Sequence, residues 1–511
     1  MPVWNFVWTR AYHDSVTLMR LTRDMEAVPG VSRAAAMMGT PANRALLKDA
    51  GLLTDEGSAA APTDLVIAVA GSGEASARAA EAAARAALSS RPAAGWEGRA
   101  SPRPRTLASA LRARPDATLA LISVPGLYAG AEALKALRAG LHVMLFSDNV
   151  PLETEIELKR FARERGLFLM GPDCGTAIID GVPLGFANAV PRGRIGLAAA
   201  SGTGLQEVTC LIARAGEGIS HAIGVGGRDL SDAVSGIMME QALAALAADG
   251  ATEVICVIGK PPGPSAAARL HEAVSRLGKR CVVHVVGGAA APAPTVGAGV
   301  HIAASLEDCA RAAVALARKE RPASTEFTLP AAEVQRLVEE AVRPLEPGQR
   351  FVRGVYSGGT LAWEALALLG ATLSDVAPGV TGGGSGHRVV DVGADIFTVG
   401  RPHPMIDGTV RREWIRKEGA DPSTAVLLLD VVLGYGAHPD PAGELLPALH
   451  AARAEARAHG RHLAVVASVT GTDADPQGRA GQVARLAGLG AAVMPSNAQA
   501  VRLAARVAAG R

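Results

Sequence analysis

The sequence predicts a multidomain α/β protein with doubly wound, mainly parallel sheets. Short apolar runs of strand length alternate with helical stretches through most of the 511 residues. Turns rich in glycine and other small residues follow several of these runs, where a strand passes into a helix. Alanine and glycine dominate the composition and aromatic residues make up only 3%, which suits closely packed α/β layers.

Four domains follow from this alternation. Residues 1–90 are expected to form a small N-terminal α/β domain, either ferredoxin-like or half of a Rossmann fold. Residues 106–192 alternate regularly enough for a doubly wound parallel sheet, and residues 193–318 and 350–511 form two further units. Residues 91–105 carry Pro, Gly and Arg and are predicted to be a linker.

Charge and cysteine usage exclude several classes of function. The formal net charge is +2 without a long run of one sign, so neither nucleic acid nor a membrane surface is an expected partner. The five cysteines form no CxxC pair, so neither a metal site nor a disulfide framework is expected. Cys174, in a glycine-rich turn, is the one candidate for reactivity. We find no signal segment or apolar run of membrane-spanning length and expect a soluble cytoplasmic protein.

The strongest candidate for a binding site follows the apolar run at residues 195–200. Ser201, Gly202 and Thr203 stand there between a predicted strand and a predicted helix. A helix N-terminus accepts an anion through its unpaired N–H groups and its positive dipole end. Ser201 or Thr203 caps the helix, contacts the anion, or does both. Lys260 ends another predicted strand at the same edge of the sheet.

A second turn carries a cation, and the whole pattern then recurs. Gly226, Gly227 and Arg228 follow the next predicted strand, and an arginine holds phosphate in a fork. Residues 356–364 repeat the serine–glycine–threonine stretch, and residues 400–407 repeat the Gly-Arg turn more loosely. We therefore predict an approximate duplication whose loops face one site. The alternative is that such turns simply join strands to helices.

Several stretches resemble a known enzyme family. Residues 123–316 resemble the alpha subunit of succinyl-CoA synthetase, through VPG at Val124, GPDC at residues 171–174 and GVGG at residues 224–227. The last unit is similar to the C-terminal domain of that enzyme's beta subunit. The resemblance implies a CoA-binding-type Rossmann domain at 106–192 and flavodoxin-like, succinyl-CoA-ligase-type domains at 193–318 and 350–511.

Nearly the whole chain resembles the FdrA family. The stretches that carry this resemblance are MMGTPAN at residues 37–43, RPHPMID at residues 401–407 and VLGYG at residues 432–436. The resemblance implies a subunit of oxamate carbamoyltransferase, which works with two companion subunits. That enzyme moves a carbamoyl group between carbamoyl phosphate and oxamate, with oxalurate as the carbamoylated product, in allantoin and purine-nitrogen breakdown.

Departures from the synthetases decide between these activities. The synthetases carry a phosphorylated histidine in a Gly-His-Ala-Gly loop, whereas residues 294–301 here read PTVGAGVH and displace His301. Lys260 stands where they use a glutamate. The first ninety residues lack the Gly-x-Thr-Gly-x-x-Gly turn that holds CoA phosphates, and the chain has no ATP-grasp domain. No cofactor is therefore required, and CoA stays an open alternative.

Carbamoyl transfer needs a phosphate clamp and charge stabilisation at the carbamoyl oxygen. Lys260 and Arg228 are expected to neutralise the phosphate, and Arg401 and His403 to bind the oxamate carboxylate or polarise the carbonyl. The residues assigned to substrate or phosphate binding are Ser201, Gly202, Thr203, Gly226, Gly227, Ser357, Gly358, Thr360 and His438.

Each charged or ring-bearing side chain in this set has a structural alternative. Arg228 and Arg401 are candidates for ion-pair partners, His403 for bonds to backbone carbonyls, and His438 for helix capping alone. Lys260 is otherwise a surface lysine. For the whole chain, the fold alone suggests an acid–CoA ligase, and a third reading is a non-catalytic scaffold that organises partner subunits.

Overall fold

The computed structural model confirms the α/β class. It describes residues 1–11, 13, 15–89, 104–286, 299–379, 386–398 and 402–510. Most of the predicted linker at 91–105 lies outside the described residues. The chain divides into two compact units, one built from Met1–Ala117 with two short segments from elsewhere, the other from the remainder. No helix in the described ranges combines the length and apolar character needed to cross a bilayer.

The N-terminal unit is a three-stranded antiparallel sheet with helices. Its elements are β1 (Val3–Trp8), α1 (Ser15–Glu26), β2 (Val31–Met38), α2 (Pro41–Asp49), α3 (Asp55–Ser58), β3 (Leu65–Gly71), α4 (Glu74–Ser89) and α5 (Leu107–Ala113). The strand order is β1-β3-β2 and both pairings are antiparallel. A half-Rossmann layer has parallel strands, so of the two predicted folds the ferredoxin-like one remains.

The second unit begins with a small parallel sheet. Its elements are β4 (Leu119–Ile122), α6 (Gly126–Arg138), β5 (His142–Leu145), α7 (Leu152–Glu164) and β6 (Leu169–Met170), with strand order β4-β5-β6. The next strands, β7 (Thr176–Ile179) and β8 (Val182–Gly185), form a hairpin that pairs with the following sheet. That hairpin lies within the predicted 106–192 domain, whose boundary stays a prediction.

Two larger sheets follow, which we call the first and second repeats. The first repeat contains β9 (Arg192–Ala199), α8 (Gly202–Arg214), β10 (Ile219–Gly224), α9 (Ile237–Ala248), β11 (Val254–Gly259), α10 (Pro264–Ser275), β12 (Arg280–Val285), β13 (Val300–Ile302) and α11 (Leu306–Ala317). The connector α12 (Ala331–Val342) leads to the second repeat.

The second repeat has the same topology. It contains β14 (Phe351–Tyr356), α13 (Gly359–Gly370), β15 (Val376–Pro378), β16 (His387–Asp391), α14 (Asp395–Thr398), α15 (Thr409–Ala420), β17 (Thr424–Val432), α16 (Pro441–Ala458), β18 (Ala464–Thr470), α17 (Arg479–Gly488), β19 (Ala492–Met494) and α18 (Asn497–Ala509). The order β13-β12-β11-β9-β10 is the flavodoxin-like 2-1-3-4-5 arrangement when the strands are counted from β9. The order β19-β18-β17-β14-β16 is the same arrangement when β15, an additional edge strand that pairs with β16, is left out of the count.

The two repeats share one hydrophobic core. Leu205 and Val208 on α8 belong to the same buried cluster as Leu361 and Ala365 on α13. These helices therefore pack between the two sheets rather than facing solvent. Their N-termini lie at the carboxyl ends of the parallel strands, which is where doubly wound folds bind ligands.

Candidate functional site at two opposed helix ends

The N-termini of α8 and α13 meet at the carboxyl edges of both sheets. The Ser201 hydroxyl is hydrogen bonded to the Thr360 hydroxyl at 2.6 Å. On the other side, Thr203 Cγ2 lies 3.0 Å from the place that a Cβ on Gly358 would occupy. Ser201 and Gly358 are the N-cap residues of α8 and α13, and Thr203 and Thr360 are the second residues of these helices. Each contact thus joins the N-cap position of one helix to the threonine of the other. The structure thus brings the two repeated loops together.

Asp430 on β17 fills the N-terminus of α13. Its carboxylate accepts hydrogen bonds from the backbone N–H groups of Ser357 (2.9 Å) and Gly358 (2.8 Å) and from the Ser357 hydroxyl (3.1 Å). Arg411 pairs with the same carboxylate at 2.6 Å, and both charged groups are buried. In this structure an internal carboxylate thus takes the donors of Ser357 and Gly358 that were predicted to contact phosphate.

A second carboxylate lies against the first turn of α13. Asp391 ends β16, and its Oδ2 is 2.8 Å from the place that a Cβ on Gly359 would occupy. Burial raises the pKa of Asp391 to about 6, and the neighbouring Asp430 adds to the rise. The backbone N–H of Gly393 donates to the other oxygen at 2.9 Å and opposes that rise. The N-terminus of α13 therefore carries two acidic side chains.

The N-terminus of α8 has neither carboxylate. Ala199, at the end of β9, pairs with Gly224 on one side and Ile258 on the other. In the second repeat the matching positions are Asp391 and, one residue beyond the last paired position on that side, Asp430. Gly224 and Ile258 carry no charge, so the neighbouring strands of the first repeat leave this helix end open.

Donors at the α8 end remain available. The Ser201 hydroxyl caps the helix by accepting the N–H of Gly204 at 3.0 Å. Among the residues that the structure describes, none accepts a hydrogen bond from the N–H of Gly202 or Thr203. A Cβ placed on Gly202 would meet only Thr176 Oγ1, at 3.6 Å. This helix end has both the free N–H groups and the space that an anion needs.

Lys260 follows β11 and faces the same region. Its positive charge lowers the pKa values of Asp173 and Asp391, which places it within electrostatic reach of both carboxylates. Its Nζ lies 5.7 Å from the ring centre of Trp363, an exposed side chain on α13. Lys260 therefore extends from the first repeat toward the second, where it lies near Trp363 and Asp391.

Asp173 was not among the predicted site residues. It reaches solvent, yet surrounding protein partly desolvates its carboxylate. This desolvation raises the pKa of Asp173 to about 7, and the carboxylates of Asp148 and Asp395 push it in the same direction against Lys260 and Arg228. Such a carboxyl group exchanges protons near neutral pH.

Arg228 and its turn differ from the predicted phosphate fork. Its Nε pairs with Glu155 at 2.8 Å and its Nη2 donates to the carbonyl of Val150 at 2.7 Å, which satisfies the ion-pair alternative. Gly226 has a φ of +90°, and a Cβ there would lie 2.5 Å from the carbonyl oxygen of Pro172. A side chain at position 226 would collide with this carbonyl, so close packing requires glycine there. Gly227 is exposed, and a Cβ on it would lie 3.6 Å from Asp173 Oδ2.

The two predicted histidines accept backbone hydrogen bonds through Nδ1. Burial lowers the pKa of His403 to about 4, so its ring is neutral at pH 7 and holds its proton on Nε2, because Nδ1 accepts the N–H of Met405 at 3.2 Å. His438 Nδ1 accepts the N–H of Asp440, the N-cap of α16, at 3.0 Å. A neutral His403 can polarise a carbonyl but cannot pair with a carboxylate as a cation. Arg401 lies outside the described residues.

Cys174 has no sign of reactivity. It is buried with its Sγ 3.4 Å from the carbonyl oxygen of Gly224, and burial raises its pKa to about 12. The thiolate is the reactive form of cysteine, so this thiol is inert near neutral pH.

Family models match three parts of the chain. The model described as CoA-ligase matches residues 355–507, and the one described as CoA binding domain matches residues 192–285. The second match falls on the stretch that the sequence predicted to be the first ligase-type domain. A third model, described as AllF, heavy metal-associated domain, matches residues 1–104.

The heavy-metal description does not fit the residues present. Residues 1–104 contain no cysteine, the thiolate ligand that soft metal ions favour. In the part of the chain that the structure describes, no three His, Cys, Asp or Glu side chains are grouped so that they would hold a metal ion. The residues of the N-terminal unit therefore give the heavy-metal description no support.

Individual proteins also show similarity to this chain. Subunit alpha-2 of the mitochondrial ADP-forming succinate–CoA ligase of Trichomonas vaginalis is 33% identical over 186 residues, 35% of this chain and 59% of that protein. Among solved structures, a dinucleotide-forming acetyl-coenzyme A synthetase 1 from Ca. Korarchaeum cryptofilum covers 76% of this chain and 82% of that chain, at 17% identity and a TM-score of 0.31.

These matches agree with the succinyl-CoA-synthetase-like interpretation, and none of them supports carbamoyl transfer. The uncharacterized protein YahF of Escherichia coli (strain K12) is 39% identical over 474 residues, which are 91% of this chain and 90% of that protein. The chain therefore belongs to the YahF family, an FdrA-like family built from CoA-binding and CoA-ligase domains.

Proposed function

We propose that the protein is an acyl-transfer enzyme subunit of the CoA-ligase type. On this proposal a small anionic acyl compound, an acyl phosphate or a carboxylate, binds at the N-terminus of α8. The observation that carries it is a contrast in charge between the helix ends: the carboxylates of Asp430 and Asp391 lie at the N-terminus of α13, whereas the equivalent strand positions beside α8 are uncharged and its Gly202 and Thr203 N–H groups have no acceptor among the described residues.

Lys260 supports the same placement. An ammonium group stabilises a bound oxyanion, and a charge-assisted contact of this kind contributes about 1.5–3 kcal/mol. The residues between Val286 and Val300 include no histidine, so this segment has no phosphoryl carrier of the succinyl-CoA-synthetase type. The bound anion is therefore expected to react directly, without a phosphohistidine.

The chain's own groups divide the work of such a transfer. The acyl–oxygen bond to phosphate breaks while a new bond forms between the acyl carbon and the nucleophile. The N-terminus of α8 and Lys260 hold the departing phosphate, and Asp173, with a pKa of about 7, accepts the proton that the nucleophile loses. Neutral His403 is a candidate donor to the acyl oxygen through Nε2.

Two nucleophiles fit this scheme. Coenzyme A is favoured by the CoA-binding and CoA-ligase matches, and it would make the protein an acid–CoA ligase component that relies on a partner for activation by ATP. Carbamoyl phosphate with an amide acceptor such as oxamate is the second candidate, and the missing phosphohistidine favours it because carbamoyl phosphate is already activated. Two companion subunits belong to that second proposal.

Binding of phosphate and of acyl phosphates tests the proposal. Isothermal titration with inorganic phosphate, acetyl phosphate and carbamoyl phosphate is expected to give one site, weakened roughly 10- to 100-fold by Lys260→Met. Lys417→Met is the matched control, since Lys417 also lies over a tryptophan ring, that of Trp414 at 4.1 Å, but on α15. Equal affinity in Lys260→Met and the wild type would reject the site. If none of the three anions binds, the result would favour a non-catalytic scaffold that organises partner subunits.

A further inference from the structure

The glutamates on the two site helices cross between the repeats. Glu207 on α8 accepts a hydrogen bond from the backbone N–H of Asn497, the first residue of α18, at 3.0 Å. Glu364 on α13 accepts one from the N–H of Leu306, the first residue of α11, at 2.7 Å. Because α11 and α18 are the terminal helices of their repeats, each site helix caps the last helix of the other repeat.

Both carboxylates are enclosed and use their second oxygens as well. Each glutamate is 2% exposed. The other oxygen of Glu207 accepts the hydroxyl of Thr470 on β18, and that of Glu364 accepts the side-chain amide of Asn497 at 2.8 Å. A carboxylate at a helix N-terminus satisfies a donor and interacts favourably with the helix dipole. Each of the two site helices therefore caps a helix of the opposite repeat, α8 capping α18 and α13 capping α11.

We propose that Glu207 and Glu364 are positioning residues for the oxyanion site, because their reciprocal caps fix the N-termini of α8 and α13 against each other. The inference rests on the proposed function, since it assigns these glutamates a role in presenting the N–H groups of Gly202 and Thr203 to the ligand. Neither glutamate touches the ligand itself. Each lies more than a helical turn inside its helix and acts through the opposite repeat.

The geometry explains why two caps are needed. Capping α18 ties α8 to the second repeat, and capping α11 ties α13 to the first. Removal of one cap leaves that helix held to the opposite repeat by the shared core and the Ser201–Thr360 contact alone, so we expect its N-terminus to shift slightly relative to its counterpart. Binding groups must be held within a fraction of an ångström of their working position. The affinity for an oxyanion is therefore expected to depend on both glutamates.

Alanine and glutamine variants separate positioning from simple stabilisation. Glu207→Ala and Glu364→Ala remove the acceptors, whereas Glu207→Gln and Glu364→Gln keep one acceptor oxygen for the helix N–H. The Asn497 Oδ1 atom has no hydrogen-bond partner within the described structure. Turning this amide lets Oδ1 accept from the amide introduced at position 364, with loss of the bond that Nδ2 donates to the Leu361 carbonyl. Glutamine is therefore expected to rescue.

Glu307→Ala is the matched control. Glu307 is also buried and also joins the repeats, through the hydroxyl of Ser496 at 2.8 Å and the amide of Gln499. It lies on α11 rather than on a site helix. Its removal is expected to lower stability without changing phosphate affinity in the folded protein.

Titration with inorganic phosphate gives the first readout. We expect roughly 3- to 30-fold weaker binding in Glu207→Ala and Glu364→Ala, the usual range for residues that act at a distance, and near wild-type binding in both glutamine variants and in Glu307→Ala. Wild-type affinity in the folded alanine variants would overturn the positioning role and leave the proposed function intact. No binding by the wild type would reject both.

Amide hydrogen exchange gives the second readout. Glu364→Ala is expected to speed exchange at the start of α11, and Glu207→Ala at the start of α18, each in the repeat opposite the substitution. Unchanged exchange at both helix starts would show that the caps do not hold the repeats together and would overturn the inference.

Discussion

The N-termini of α8 and α13 are equivalent by topology and differ in charge. At α13, the carboxylates of Asp430 and Asp391 lie at the helix end, and Arg411 balances one of them. At α8, the equivalent strand positions are Ile258 and Gly224, which carry no charge. The two repeats thus present helix ends of the same geometry. The residues at two strand positions decide that carboxylates of the protein lie at one end, while the other end is open to a ligand.

The filled end should respond most strongly to substitution. Asp430→Asn removes the charge that Arg411 pairs with in a buried site, and breaking such a pair costs about 3–5 kcal/mol because the other charge stays buried without a partner. Urea unfolding measures the loss. Asp395→Asn changes an exposed carboxylate in the same repeat and is expected to stay within about 0.5 kcal/mol of the wild type. An equally small effect of Asp430→Asn would contradict the claim that the Asp430 carboxylate fills the N-terminus of α13 and holds Arg411.

The helix ends also predict a dependence of stability on pH. Burial raises the pKa of Glu364 from 4.5 to about 7, and the carboxylate of Glu207 on α8 adds to the rise. Hydrogen bonds from Asn497 and the Leu306 N–H, with the charge of Arg502, oppose it. The folded state therefore binds more protons between these two values, so the unfolding free energy falls as pH rises from 4.5 through 7, by an amount on the order of 3 kcal/mol.

Urea unfolding between pH 5 and pH 8 tests this dependence. Glu364→Gln removes the titrating group, so its profile is expected to be flatter than that of the wild type over the same interval. Parallel profiles in the two proteins would mean that Glu364 stays ionised throughout, and the raised pKa would be wrong.

A moderate effect is expected at the cap of the open helix. Ser201→Ala removes the acceptor for the Gly204 N–H and the contact with Thr360, and loss of an N-cap costs about 1 kcal/mol. In the second repeat the N-cap is Gly358, which has no side-chain cap to lose. Thermal unfolding of Ser201→Ala measures the loss at α8. If Ser201→Ala unfolds at the wild-type temperature, the serine does not cap α8.

The smallest effect concerns the thiol beside the open end. Cys174 Sγ lies against Gly224, the counterpart of Asp391, and its pKa is raised to about 12. Iodoacetamide is therefore expected to leave Cys174 unmodified in the folded protein at pH 8 and to alkylate it in urea. Alkylation of Cys174 in the folded protein at the rate of a free thiol would show that this side of the site is open.

Local periodicity made most of the fold predictable. The apolar run at residues 195–200 was predicted to be a strand followed by a helix, and β9 and α8 stand there, because an apolar run or a helical face is visible in neighbouring residues. The β7–β8 hairpin was missed because its role comes from pairing with β10, which depends on distant residues. The repeat was visible because its loops kept the same small residues.

The charges that decide the site were harder to predict. Asp430 is one polar residue inside the apolar run of β17, and its partner Arg411 lies on another element. The available signal was the rule that a charge in a buried strand requires a partner. Glu207 and Glu364 each stand four residues after the threonine of the repeated loops, but their contacts with α18 and α11 form only when both sheets are folded together.

The most direct test of the account locates the bound anion by NMR. In ¹⁵N-labelled protein, titration with inorganic phosphate or an acyl phosphate should shift the backbone amide signals of Gly202 and Thr203 at the N-terminus of α8. The equivalent signals of Gly359 and Thr360 should move much less, because the carboxylates of Asp391 and Asp430 lie at the N-terminus of α13 and repel an anion. Equal shifts at both helix ends, or shifts confined to α13, would contradict the claim that the first repeat holds the open site.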